Sequence, residues 1–280
     1  MAVTPGHSHG GGPVVIASIL LLGFLQGTAP IQATADPVYP FGVGENLEYS
    51  AKLGFLRLGN GVIKISGIDT IRGVPSFKFE FSLTGGNALY RLNSLLESWA
   101  GVRDLKSRRY HSTTDENGRL RKKRYEIFPD SGFYRQEGVP EPQPSPEHPL
   151  DDAAFLYFVR TVPLEVGKTY ELDYYFRKEK NPLIIRVEKR EKMELPDGSE
   201  VDCLVVQPVI GDRGIFAEKQ RGRVWVTDDA RRVPVQIQTR YPFGVITLRL
   251  ERMTLAPDRV RGLTPPRRRG SGRTPVRLLH

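Results

Sequence analysis

From about position 41 onward, apolar and polar residues alternate with a period of two. That is the spacing that puts successive side chains on opposite faces of a strand. Phe77, Phe79, Phe81 and Leu83 alternate with Lys78, Glu80 and Ser82, and Ile246, Leu248 and Leu250 alternate with Thr247, Arg249 and Glu251. Each set predicts a half-buried strand with one apolar face. Similar strands are read at 46–53, 55–68 (broken at Gly59-Asn60-Gly61), 119–128, 169–178 and 200–209, and 85–92 reads as a loop or a short helix. Between them stand turn formers: Asn117-Gly118 is the strongest hairpin signal, and Pro129-Asp130-Ser131-Gly132 and Pro196-Asp197-Gly198 follow the same logic.

One stretch breaks the alternation. Residues 151–168 run DDAAFLYFVRTVPLEVGK, with almost no polar face between Ala153 and Val162. A helix apolar nearly all round requires burial. Asp151 or Asp152 can cap its start, and Pro163 ends it, because a residue preceding proline leaves the helical region. Four prolines in 139–146 lead into it as an extended connector. The predicted fold is mainly β: an antiparallel, half-open barrel of about eleven strands, with this one buried helix as plug or lid. Parallel βαβ units would need repeated crossover helices, and one helix does not supply them.

The ends of the chain differ from its body. Residues 13–27 are an apolar run too short to span a bilayer comfortably, and Ala33-Thr34-Ala35 follows as a small-residue cleavage pattern. This predicts a signal peptide over 1–35, cleaved after Ala35, and a periplasmic protein. An uncleaved anchor is the alternative, because no Lys or Arg precedes the run. The net charge of +9 sits mostly beyond Pro257, where seven arginines face one aspartate; residues 258–280 read as a disordered tail. The body, 36–257, reads as a single domain. Cys203 is the sole cysteine, so no internal disulfide forms, and its apolar neighbours Leu204, Val205 and Val206 predict burial.

The order of certain stretches resembles an exported bacterial family, domain of unknown function 3108. They are Phe41-Gly42-Val43-Gly44-Glu45-Asn46-Leu47-Glu48-Tyr49, then Asp152-Ala153-Ala154-Phe155-Leu156-Tyr157-Phe158-Val159-Arg160 and Val162-Pro163-Leu164-Glu165-Val166-Gly167. Val224-Trp225-Val226-Thr227-Asp228-Asp229 and Arg232-Val233-Pro234-Val235 complete the set. The resemblance implies an exported all-β protein of the lipoprotein-carrier class typified by LolA. In such folds a curved sheet forms a cup for an apolar ligand and a helical segment covers or lines it. The family has no agreed activity and supplies no catalytic residues.

Chemistry read from the residues is sparse. His111 lies on a basic strand and His148 in the connector, neither beside a nucleophile elbow. Asp151-Asp152 and Asp228-Asp229 read as a helix cap and a turn starter rather than acid/base pairs. No metal or cofactor motif occurs, so neither a catalytic group nor a cofactor is assigned. The expected function is therefore a non-catalytic exported protein that binds an apolar ligand, a lipid or a lipidated protein, in the half-barrel. Its candidate lining is Phe79, Phe81, Phe155, Tyr157, Phe158, Tyr174, Phe176 and Trp225. The alternative is a cell-envelope structural or assembly factor acting through a basic surface. Arg121, Lys122, Lys123 and Arg124, on one arm of the Asn-Gly hairpin, are the candidate contacts to an anionic surface. The plain reading of that hairpin is a solvated face, and nucleic acid is not an expected partner.

Overall fold

Hairpin follows hairpin along the chain. The computed structural model describes residues 37–86, 91–212, 214–242, 244–257 and 277–279. Strands β1 (Asn46–Leu53), β2 (Leu56–Ile71), β3 (Val74–Gly86), β4 (Arg91–Gly101), β5 (Ser107–Glu116), β6 (Arg119–Phe128), β7 (Phe133–Gln136) and β8 (Gln143–Pro144) form one antiparallel meander. A second contains β9 (Thr169–Leu172), β10 (Leu183–Glu194), β11 (Glu200–Val209), β12 (Arg223–Thr227), β13 (Pro234–Tyr241) and β14 (Gly244–Thr254). β14 pairs with β1 and joins the two, and β15 (Arg277–Leu279) pairs with β9. The result is one 15-stranded antiparallel sheet whose terminal strands β15 and β8 are not paired with each other. The open, mainly β architecture expected from the alternation is present, with more strands than the about eleven expected. Two of the extra strands are the short β8 and β15.

The helix is shorter than the apolar run that announces it. α1 spans Asp152–Phe158 and a 3-10 turn continues it over Val159–Thr161. Asp151 is the cap: its Oδ1 accepts the backbone N–H groups of Ala153 and Ala154, each at 3.0 Å. Val162 is already extended, as a residue before proline should be. α1 lies against β3 and β4. Phe155 and Tyr157 are 0% and 1% exposed, within a core that runs from Phe41 to Leu250. The compact unit Pro37–His280 contains that whole core.

Three local expectations are corrected. The strand expected over 169–178 stops at Leu172, because the backbone beyond is taken by other partners. The Asn181 side chain donates to the Tyr175 carbonyl at 2.9 Å and accepts its N–H at 2.8 Å. Leu150 bonds Tyr174 and Phe176 in a short parallel bridge. The second strand is not broken at Gly59-Asn60-Gly61, since β2 runs through it. There Gly59 faces Gly85 of β3 so closely that a Cβ on Gly59 would lie 2.0 Å from the Thr84 carbonyl oxygen. Glycine here serves close strand approach, not a turn. Over 85–92 the chain is strand up to Gly86 and again from Arg91. Residues 1–36, which hold the expected signal peptide, and most of the expected disordered tail lie outside the described residues.

Candidate ligand-binding cavity

Register fixes which side chains face inward. Leu96 pairs with Phe81 and Ser112, and Leu83 with Ser94. On the far side of the join, Val224 pairs with Ile237 and Ile237 with Leu248. These sets share the inner face. Along it, one end is filled by α1 and the other is not. Seven helical residues extend about 10 Å, whereas the 13 residues of β3 extend about 40 Å. The helix is too short to fill the length of the sheet.

What it leaves is a cavity of about 650 Å³. Its walls are Leu53, Leu58, Leu83 and Leu92 on one meander and Ile237, Ile246 and Leu248 on the other, with Phe81 and Ile215 toward the core. Asn60, Thr84, Glu116, Thr239 and Tyr241 supply its sparse polar groups. Leu53, Leu58, Leu83, Leu92, Ile215 and Ile246 are only half-buried, in contrast to the sealed core around the helix. A smaller space of about 190 Å³ shares Phe81, Leu83 and Ile215 with it and reaches Asp152 and Lys180. There Tyr110 and Tyr175 each donate to Asp152, at 3.0 and 3.1 Å, and Lys180 Nζ donates to the Tyr175 hydroxyl at 3.2 Å. Burial, reinforced by the Asp152 charge, pushes both tyrosine hydroxyls well above their usual range, so both stay protonated donors. Burial lowers the Lys180 ammonium from its usual value. The arrangement can hold an apolar chain along its walls and hydrogen-bond one polar end beside Asp152 and Lys180.

The predicted lining residues fall in several places. Phe81 lines the cavity. Phe79 and Tyr157 do not, since they stack on each other at 4.1 Å inside the core. Phe155 packs edge-on to Phe216 at 5.7 Å, and Phe176 sits among Tyr110, Tyr125 and Tyr134 at 5.0–6.0 Å. Phe158 and Tyr174 border a separate space of about 100 Å³ with His148. Trp225 is on the opposite face of the sheet: it pairs with Val205 and Gln236, and its Nε1 donates to Glu191 at 2.6 Å. Aromatic size drew attention to the core, where large rings close space. The cavity is walled by leucine and isoleucine near hairpin tips. Period-two alternation assigns Leu83 and Leu248 to an apolar face, but it carries no signal for how far along that face the filling stops.

The basic hairpin is exposed. Arg121, Lys122, Lys123 and Arg124 are all at the surface of β6. Arg121 pairs with Glu116 at 2.6 Å and Arg124 with Glu137 at 3.6 Å. The two acidic doublets take the roles expected of them. Asp229 accepts the N–H groups of Arg231 and Arg232, each at 2.9 Å, at the β12–β13 turn. Asp151 caps α1. Among the described residues, no group of three or more His, Cys, Asp or Glu side chains is placed to hold a metal, and no helix is long and apolar enough to cross a membrane. Cys203 is buried, which pushes its thiol up to about 12.

Asp151 makes the fold pH-dependent. Burial raises its carboxyl to about 6 from 3.8, against the lowering effect of hydrogen bonds from Ala154 and Ser98. An acid with a raised folded pKa contributes fully below about 3.8, and that contribution is lost as pH rises through about 6. The difference corresponds to about 3 kcal/mol. Asp151→Asn keeps the cap acceptor and stays neutral, so urea midpoints of the two proteins should converge near pH 4, and wild type should fall below the variant by pH 7. Parallel curves across that window would contradict the assignment.

Known proteins resemble this chain in sequence and in fold. The model of a family described as protein of unknown function, DUF3108, matches residues 48–251. A solved structure, a beta-barrel-like protein of domain of unknown function DUF1849 from Brucella abortus, is similar in fold with a TM-score of 0.51 and 8% identity. The alignment covers 78% of this chain and 99% of that one. No curated protein matches the chain.

Proposed function

The chain belongs to the DUF3108 family, whose description assigns no activity, and from its cavity we propose that it is a non-catalytic carrier of an acyl-chain ligand. The observation that supports this reading is the apolar space of about 650 Å³ beside the core packed around the helix. That size lies within the ~300–1,000 Å³ of small-molecule pockets, and walls with few polar groups suit lipid-like ligands. Each methylene placed there contributes about 0.8 kcal/mol. About ten would give a gross gain of ~8 kcal/mol, within the ~4–15 kcal/mol that association costs. A long single acyl chain therefore fits better than a short one. The ligand is a lipid or the acyl part of a lipidated protein. The apolar run 13–27 and Ala33-Thr34-Ala35 support export, and hence a periplasmic site of action after cleavage at Ala35. The LolA-like character implied by the family resemblance agrees with a cup that holds an acyl chain.

The test is uptake of a fluorescent fatty acid by residues 36–280 purified without detergent. Saturable uptake, competed by an unlabelled fatty acid of the same length and not by a short-chain one, is expected. Absence of uptake by well-folded protein would overturn the reading.

The second reading, an envelope assembly factor, is favoured by one observation, the solvent-facing row Arg121, Lys122, Lys123 and Arg124. It predicts partner capture that weakens with salt and survives when the cavity is filled.

A further inference from the structure

Several hairpin tips surround the cavity mouth, and two of them are unusual. The β1–β2 tip carries Phe55, 102% exposed, and Leu56, 51% exposed. The residues that flank this pair, Leu53 and Leu58, line the cavity. The tip therefore belongs to the mouth. The β5–β6 tip carries Leu120, 57% exposed, with Glu116 at its base also lining the cavity. On the same strand Arg119, Arg121, Lys122, Lys123 and Arg124 are all exposed, Lys122 and Arg124 on the face of Leu120 and the other three on the opposite face.

Some of this charge is already answered. Arg57 pairs with Glu251 at 2.9 Å, and Arg121 and Arg124 with Glu116 and Glu137. Arg119, Lys122 and Lys123 have no ion pair within 4.0 Å among the described residues. The two tips are separated by β3 and β4, about 15 Å across the sheet at ordinary strand spacing, and the first projects further, since Leu120 is level with Asn60, five residues from Phe55. A single exposed apolar side chain is ordinary, but Phe55 and Leu56 stand exposed side by side at one tip. Apolar and aromatic tips flanked by unpaired cations are the composition that settles at an anionic lipid–water interface.

We propose that this rim, with Phe55, Leu56 and Leu120 as the apolar contacts and Arg119, Lys122 and Lys123 as the cations, seats on an anionic bilayer surface. Seated so, the cavity mouth faces the membrane. The inference rests on the exposure and charge of the rim. It does not require the cavity to be loaded, so its failure and that of the carrier reading separate: one is read on vesicles, the other by uptake in solution.

The experiment is sedimentation of residues 36–280 with vesicles of phosphatidylcholine alone or mixed with phosphatidylglycerol. Binding to the mixed vesicles only, weakening with salt, is expected. Replacing both apolar residues of the first tip, Phe55→Ser with Leu56→Ser, should weaken binding at least about tenfold. Removing the three unpaired cations, Arg119→Ser with Lys122→Ser and Lys123→Ser, should weaken it about a hundredfold, at roughly a factor of five per charge. These side chains are exposed, so the fold persists in each variant. Because the Arg-rich tail is common to all the proteins, a separate reporter isolates the rim. The Phe55→Trp protein should show a blue-shifted emission on adding mixed vesicles, over a constant background from the buried Trp99 and Trp225. Equal binding by wild type and both multiple variants, an unshifted emission from the Phe55→Trp protein, or capture of an acidic protein with no vesicle binding would each overturn the proposal.

Discussion

Arg160→Ala should cost about 3–5 kcal/mol of stability, the usual penalty for breaking one side of a buried ion pair. The Arg160 and Glu45 side chains are 1% and 0% exposed. The guanidinium meets the Glu45 carboxylate with two parallel bonds, at 2.6 and 2.9 Å. It donates in addition to the Pro40 carbonyl at 3.2 Å and the Arg231 carbonyl at 3.0 Å. The rings of Phe41 and Tyr157 lie 5.1 and 5.6 Å from its central carbon. One side chain thereby ties the segment before β1, the end of the helical stretch and the β12–β13 turn. Removing it strands a buried carboxylate and leaves two carbonyls without this donor. Arg160→Lys should rescue little, since an ammonium cannot reproduce the planar fork. Pairing Arg160→Met with Glu45→Gln should cost less than the sum of the single changes, because neither charge is then left alone. Urea unfolding of wild type, the two single variants and the double variant measures this; additive costs would contradict it.

Leu83→Trp should weaken uptake of an acyl chain about tenfold or more, with little loss of stability. Leu83 borders both the large cavity and the smaller one beside Asp152 and Lys180. Being half-buried at open space, it can grow without the overpacking strain of a filled core. Phe155→Ala should do the reverse. That ring is 0% exposed and lines none of the three spaces described, so its loss should cost about 3–5 kcal/mol while leaving the cavity walls in place. The two variants separate a helix that holds the fold together from walls that hold a ligand. Impaired uptake in both variants would instead make the helix a lid over the site.

Much of the fold could be read from alternation alone. Strands β1, β6 and β11 occupy the residues expected of them, and the one apolar helix is buried as its lack of a polar face requires. Less local features escaped. The strand after the helix ends early because Asn181 and Leu150, distant or unremarkable in sequence, take its backbone groups. Arg160 and Glu45 both lie in stretches that carry the family resemblance, yet nothing in either stretch says that they meet across 115 residues. The site was legible only in kind. Phe81 is shared between expectation and structure, whereas Trp225 alternates correctly but on the outer face, which the pattern alone does not distinguish from the inner one. The decisive quantity is the mismatch between a seven-residue helix and strands up to 16 residues long, which leaves one end of the interior unfilled.

That unfilled end is the central claim, and organic extraction followed by mass spectrometry tests it most directly. Residues 36–280, purified without detergent from cells that export the full chain, should yield an acyl-chain compound in near-stoichiometric amount, and the Leu83→Trp variant prepared alongside should yield none. A clean extract from wild type that also takes up no added fatty acid, or equal recovery from both proteins, would contradict it.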